Sequence, residues 1–497
     1  MPDTNRRSRT ERHVIYKVNR RMVIFTLGQI ELLEAVLLLL PALTALIYKE
    51  KCLWAILITA GVCGVLGGLF MLVGRPKSRV IYAKEGFVIV ALAWIVMSAL
   101  GAVPFVLSGE IPNYIDAFFE TVSGFTTTGA SILTNVEAMS HGLLFWRSFT
   151  HWIGGMGVLV FIMAIVPNVS ERSIHIIRAE MPGPIVGKLV PRIKDTAKIL
   201  YLIYMVMTAV EVILLIAGKM PFFDSLIHTF GTAGTGGFGM KADSIASYSP
   251  YIQWVITVFM LLFGVNFNLY YLMLIRRFRA AFKSTELWTY LGIVAASIGL
   301  IAVNIYKIYG TAAETVRQSA FQVVSVITTT GYATSDFNMW PGFSKSILLV
   351  LMFIGACASS TGGGLKVSRL IIIIKMGRNE LRHLLHPKSV TTVRFEGKQL
   401  DAATLHNTGN FFILYVLTMF IIFLAVSFDK FDMETNISAV ASCFNNVGPA
   451  FGAAGPASSY AGFSSVSKIV LSLAMLFGRL ELFPMLLLFA PSTWSKK

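Results

Sequence analysis

The sequence predicts an all-α polytopic membrane protein: four repeated units of span, re-entrant loop and span, with two extra transmembrane helices ahead of them. Three observations predict it. Apolar residues make up 55% of the 497 and charged residues only 14%, where soluble domains average about 25% charged. The apolar residues fall in long uninterrupted runs. Between those runs, a short motif that is apolar, then polar, then glycine comes back four times.

A helix needs about 20 apolar residues to cross ~30 Å of hydrocarbon. Runs of this kind are Val23 to Ile47, Cys52 to Val73, Gly86 to Val106, His141 to Val166, Ile199 to Ala217 and Tyr251 to Ile275. They continue with Leu287 to Val303, Ile347 to Ile374, Phe411 to Val426 and Ile469 to Phe489. Leu287 to Val303 and Phe411 to Val426 are short and are expected to extend into their flanks. The first run follows a basic stretch, as a signal sequence does. It exceeds the ~7–15 residues of a signal core, and a second run follows at once, so it reads as a retained helix.

A net charge of +16 raises the question of a nucleic-acid partner. The basic residues instead cluster in the N-terminal tail, Arg75 to Lys84, Arg172 to Lys198, Arg276 to Lys283, Lys366 to Lys398 and the C-terminus. With the runs above, all these segments fall on one side of the bilayer, the pattern of positive cytoplasmic loops. The charge therefore orients the chain and meets anionic lipid, with both termini cytoplasmic, and no nucleic acid is expected. Cys52, Cys63, Cys357 and Cys443 lack C-x-x-C spacing and read as small core residues.

The repeated segments are Ala117 to Gly129 (AFFETVSGFTTTG), Asp224 to Gly236 (DSLIHTFGTAGTG), Ser319 to Gly331 (SAFQVVSVITTTG) and Asn436 to Gly448 (NISAVASCFNNVG). Their closing glycines recur at about 100 residues, room for one structural unit. Each predicts a half-helix of ~9 residues, too short to span, then a polar strand. Ordinary turn loops would explain one such segment; four in register point to re-entrant loops lining a shared pore. Non-helical backbone at membrane depth is tolerated only against protein or a water-filled cavity. The organisation expected is 1–80 for tail and extra helices, then units at 81–195, 196–284, 285–398 and 399–497.

Backbone carbonyls can replace the water shell of a cation without carrying full charge. The expected liners are Thr127, Thr128 and Gly129; Gly234, Thr235 and Gly236; Thr329, Thr330 and Gly331; and Asn446, Val447 and Gly448. No Asp or Glu ring occurs in these strands, which argues against a divalent-cation filter. Half-helix C-termini aimed at the axis would add the negative end of the helix dipole.

Two features lie below the loops in chain order. GACASSTGGG (Gly355 to Gly364) interrupts the eighth run, and glycines cost ~1 kcal/mol each within a helix. A broken helix at this depth marks a cavity-lining site; close helix packing through small residues is the alternative. Arg479 stands inside the last run, where a charge faces a partner or water. Pairing with Glu481 or snorkelling to an interface would also satisfy it. Glu120, Asp224 and His228 are expected to bond neighbouring loop backbone. Arg147 and His151 are expected to pair with such carboxylates, and Asn266 and Asn268 to bond between helices.

Together, TVSGFTTTGAS (Thr121 to Ser131), HWIGGMGVLVF (His151 to Phe161), RAEMPGP (Arg178 to Pro184), STGGGLKV (Ser360 to Val367), Asn445 to Pro449 and MLFGRLELF (Met475 to Phe483) resemble the Trk/Ktr/HKT superfamily of cation transporters, in its TrkH branch. The likeness runs from Lys84 to Trp494, and the two extra N-terminal spans suit that branch. The resemblance implies a pseudo-fourfold pore in a homodimer, potassium as the transported ion bound at the filter residues, and one critical glycine per unit: Gly129, Gly236, Gly331 and Gly448. Plant relatives that prefer sodium carry Ser in the first unit, so Gly129 favours potassium. The second unit departs from the common pattern, reading Gly-Thr-Ala-Gly-Thr-Gly-Gly. The resemblance also implies a gating loop that includes Gly362, Gly363 and Gly364, with Lys366 at its cytoplasmic end and Arg479 in the permeation path. It implies a cytosolic ring of TrkA-like nucleotide-binding subunits, for which the 172–198 and 369–398 loops are docking surfaces, and a bacterial cytoplasmic (inner) membrane location.

The reading is thus potassium uptake, by channel or by symport. One rival is a sodium or non-selective cation transporter of the same fold. The other is a membrane-embedded enzyme, which would need clustered nucleophiles or metal ligands; none of the eight histidines stands in an H-E-x-x-H motif, and no G-x-S-x-G is present.

Overall fold

In the computed structural model, the chain is described over residues 18–76, 83–157, 193–388 and 392–494. The N-terminal tail through Lys17, most of the 172–198 loop and the RAEMPGP motif lie outside the described residues. Among the described residues the chain is almost wholly helical, with one two-stranded antiparallel hairpin pairing Arg394 with Gln399 and Phe395 with Lys398. Glu396 and Gly397 turn it, both at positive φ.

Six described helices are long and apolar enough to cross a bilayer: Arg20–Ile47, Cys52–Val73, Lys84–Leu107, Lys198–Ala217, Thr285–Tyr309 and Ala402–Val426. Their outward faces are apolar, with Leu43, Ile213, Val303 and Ile421 all more than half exposed. Their inward faces bury Thr, Ser and Glu, the reverse of a soluble domain. The chain is a multi-pass membrane protein. The two short runs extend as expected, each to a helix of 25 residues.

Other runs differ from expectation by being interrupted. The first is broken at Leu38, where the Pro41 ring crowds the Leu37 carbonyl and offers no N–H. The sixth divides into Pro250–Phe263 and Phe267–Leu274, bent by 89°. Asn266 starts the second piece, its side chain accepting from the Asn268 N–H as a cap, while its amide donates to Glu286 Oε2 at 3.4 Å, the expected bond between helices. The eighth breaks between Ile354 and Val367, as its glycines foretold. The tenth breaks after Arg479, through Glu481 and Leu482 at φ 57 and 67. The helix His141–Gly155 ends at a comparable place, before the described residues stop at Gly157.

Four short helices carry the repeated segments: Tyr114–Phe125, Phe222–Gly234, Ala312–Ile327 and Met433–Phe444. At 12, 13, 16 and 12 residues they exceed the expected nine, each starting upstream of its repeated segment. Asn113, for instance, caps the first by accepting from Ile115 N–H. All are still too short to span ~30 Å.

Candidate functional site: a ring of loops between two cavities

Each of the four short helices ends the same way. A non-glycine residue takes the left-handed conformation: Thr127 (φ 55), Thr235 (φ 55), Thr329 (φ 60) and Asn446 (φ 56). Its N–H returns to the carbonyl three residues back, on Gly124, Thr232, Val326 or Cys443. The next N–H returns five residues back, to Ser123, Gly231, Ser325 or Ser442. This is the Schellman ending, in which the left-handed position normally belongs to glycine. A β-branched threonine there is an outlier, and three occur.

Two residues further on, each loop has a glycine at positive φ: Gly129 (80), Gly237 (75), Gly331 (79) and Gly448 (100). The second loop therefore reads Thr235, Gly236, Gly237, one residue later than the sequence register of Gly234, Thr235, Gly236. Gly234 is the last residue of its helix. Three glycines among four residues hid this register; only the backbone angles separate them.

The four glycines meet in a closed cycle. A Cβ on Gly129 would collide with the Gly236 carbonyl oxygen, one on Gly237 with that of Thr330, one on Gly331 with that of Val447, and one on Gly448 with that of Thr128. Each closing glycine is thus seated against the middle carbonyl of the next loop. Among the described residues, no donor reaches the carbonyls of Thr127, Thr128, Thr235, Gly236, Thr329, Thr330, Asn446 or Val447. Buried carbonyls are nearly always paired, so eight bare ones around one axis are an exceptional set of unsatisfied oxygens.

The closing glycines border an open cavity shared with Arg147, Lys241, Pro449 and Tyr460. Beyond the opposite ends of the strands is a second, narrower cavity, lined by Gly155, Ser360, Gly362 to Gly364, Lys366 and Arg479. Between them the 355–366 loop presses on the ring. Its Gly363 N–H donates to Thr329 Oγ1 at 2.6 Å, and a Cβ on Gly362 would come within 2.8 Å of the Thr328 oxygen. Its neck is closed by Leu365 and Lys366 N–H bonds to Phe353 and Ile354, with Gly355 and Gly364 backbone to backbone. Its flank is bonded to the bend of the sixth run: Cys357 N–H to the Gly264 carbonyl, and Phe267 N–H to the Ser359 carbonyl. Glu286, at the start of Thr285–Tyr309, accepts from Ala358 N–H at 2.7 Å. The buried Lys366 ammonium donates to the Gly362 carbonyl.

Arg479 sits in the second cavity. Its guanidinium donates to the Thr361 carbonyl at 2.7 Å and to those of Gly154 and Gly155 at 2.5 and 2.8 Å. It joins the loop to the C-terminal, negative end of His141–Gly155. Glu481 is taken instead by Arg369, at 2.9 and 2.6 Å, so the alternative Arg479–Glu481 pair is not formed.

Around the ring, Glu120 accepts from Ser131 Oγ, Ile132 N–H and Arg147 Nε, the last at 2.6 Å. Arg147 also lies over the Phe238 ring, 3.4 Å from its centroid. His151, expected on a carboxylate, bonds the Gly124 carbonyl with Nδ1 at 2.7 Å. Asp224 accepts from the Tyr248 hydroxyl, while its carbonyl meets His228 Nδ1. Sequence reasoning missed Tyr332, whose hydroxyl binds the His228 and Phe238 carbonyls. It missed too the Lys468–Asp116 pair at 2.7 Å, the lysine standing one residue ahead of the run Ile469 to Phe489.

A family model described as TrkH, cation transport protein, matches residues 55–497. The chain belongs to the TrkH family. It is 36% identical over 481 residues to the Trk system potassium uptake protein TrkH of Salmonella typhimurium, covering 95% of this chain and 99% of that one. It is 32% identical to the Trk system potassium uptake protein TrkG of Escherichia coli, over 95% of this chain and 98% of that one. The crystal structure of the potassium transporter TrkH from Vibrio parahaemolyticus superposes with a TM-score of 0.84 at 32% identity, covering 96% of this chain and all of that one. The TrkH family is one of cation transporters and not an enzyme class.

Proposed function

We propose that this chain takes up potassium through a pore on the axis of the four loops, working in the bacterial cytoplasmic membrane with both termini inside. The observation that carries the reading is the cycle of glycines and eight unpaired carbonyls between two cavities. Its ligands are neutral oxygens, which suit a large monovalent cation; a divalent filter would require acidic side chains at the ring. The named relatives are potassium transporters. Inward movement draws on the membrane potential, ~2.3 kcal/mol per charge per 100 mV.

In this reading the four units at 81–195, 196–284, 285–398 and 399–497 surround the pore, and 1–80 adds the two outer helices. Potassium is held by Thr127, Thr128 and Gly129, by Thr235, Gly236 and Gly237, by Thr329, Thr330 and Gly331, and by Asn446, Val447 and Gly448. The 355–366 loop and Arg479 close the path below. A homodimer, with cytosolic TrkA-like subunits docked on the basic loops, completes the system.

The test is potassium-limited growth of an uptake-deficient cell expressing the chain, with flux in vesicles and sodium as competitor. Growth rescued by the wild type and lost with Gly129→Ser under sodium supports potassium selectivity. Equal sodium and potassium flux through the wild type replaces it with a non-selective transporter.

A further inference from the structure

The two N-terminal spans bury an acidic pair that the pore does not use. Glu31 and Glu34 lie one turn apart on Arg20–Leu37, and neither is exposed to any extent. Among the described residues, none of their four carboxylate oxygens has a hydrogen-bond partner other than the neighbouring carboxyl. One oxygen from each, together with Cys63 Sγ of the adjoining span, lies within a 4.8 Å group. The two spans touch backbone to backbone nearby, a Cβ on Gly28 falling 2.6 Å from the Gly67 oxygen.

A second element faces the pair. On Lys84–Leu107, Trp94, Ser98 and Gly101 recur at helical spacing on one face, and Glu34 Oε1 is 3.1 Å from where a Gly101 Cβ would stand. Ser98 Oγ and Trp94 Nε1 are buried and, among the described residues, without a hydrogen-bond partner. Thr121 and Phe125 of the first short helix meet the same Gly101 position, at 3.0 and 3.2 Å. The pair therefore backs onto the helix that delivers Thr127 to Gly129.

Two bare carboxylates cannot both stay ionised in an apolar site without a cation. We propose that Glu31 and Glu34 form a proton-sharing carboxyl pair, a proton-binding site that acts on the first loop through Gly101. The groups facing it are Cys63 from Cys52–Val73 and the neutral Ser98 and Trp94 from Lys84–Leu107. Glu85 on that helix is engaged elsewhere, by the Asn19 N–H. Arg479 lies over the Trp94 ring, 6.0 Å from its centroid.

The experiment is infrared spectroscopy of the full chain in lipid through a pH titration, beside cation flux in the same vesicles. In wild-type-minus-variant difference spectra, which cancel the likewise buried Glu211 carboxyl, a protonated-carboxyl band at neutral pH should shift in Glu31→Gln and be lost in Glu31→Gln/Glu34→Gln, and the pH dependence of flux should flatten in both. An unchanged band in either folded variant, or an unchanged flux profile, overturns the proposal. If the double variant does not fold, the single Glu31→Gln band decides. Stoichiometric zinc binding at neutral pH that is lost in Cys63→Ser also overturns it, in favour of a metal site. The infrared result does not depend on potassium being the transported ion.

Discussion

The left-handed threonines tie chemistry to strain. Placing an L residue there costs ~1–2 kcal/mol, and such outliers persist where surrounding structure enforces them. Here the enforcement is the pair of returning N–H bonds, which leaves the following carbonyls free. The closing glycines carry the complementary demand, positive φ together with a neighbour's oxygen against Cα. Gly237→Ala meets both and is expected to reduce potassium preference over sodium on the order of tenfold, the equivalent of ~1.4 kcal/mol. Competitive flux measures it. Gly234→Ala tests the register differently, since its obstacle is the His151 backbone behind the helix; folded yield should fall while the selectivity of what does fold is kept. Arg479→Lys retains charge but cannot reach three carbonyls on two elements. Flux is therefore expected to rise in Arg479→Lys as much as in Arg479→Ala; wild-type flux in the lysine variant alone would make charge the barrier.

Among elements, the 355–366 loop is held by few bonds from many places. Glu286→Ala removes the acceptor of Ala358 N–H and should raise flux without reducing folded yield, since the helix it begins keeps its Ser284 cap. The buried Glu120–Arg147 pair is different. Truncating one partner strands the other charge, typically for about 3–5 kcal/mol, so Glu120→Ala should lower the Tm of the purified protein. Outside the spans, Glu50 caps His141–Gly155. Partial burial opposes its ionisation, but N–H bonds from Gly142 and His141 outweigh this and hold its carboxyl below the usual range. A depressed carboxylate stabilises the fold above its unfolded pKa and loses that contribution as pH falls through the folded value. Acidification should therefore lower the Tm of the wild type more than that of Glu50→Gln.

For the whole molecule, the apolar runs and the recurring glycine segments made the membrane class and the loop positions legible, because length and polarity are directly written in residues. The Gly355 to Gly364 break was legible for the same reason. The breaks at 264–266 and 480–482 were not: Gly264 and Asn266 are modest signals, and Leu480, Glu481 and Leu482 carry none. Their bending comes from tertiary bonds, such as the Gly264 carbonyl with Cys357 and the Arg369 grip on Glu481. The register of the second loop was hidden by surplus glycine. Arg479 was legible as a charge needing partners, but which carbonyls it meets depends on two distant elements arriving together.

The cyclic seating of glycine on neighbouring carbonyl makes the opening a mechanical loop of four interlocked links. No link can widen alone, because displacing one strand shifts the oxygen against which the preceding one rests, and the disturbance travels round to its origin. The aperture is therefore a collective dimension. Substitutions in separate links should combine non-additively, and natural variation at any one should be read together with the residue opposite it in the cycle.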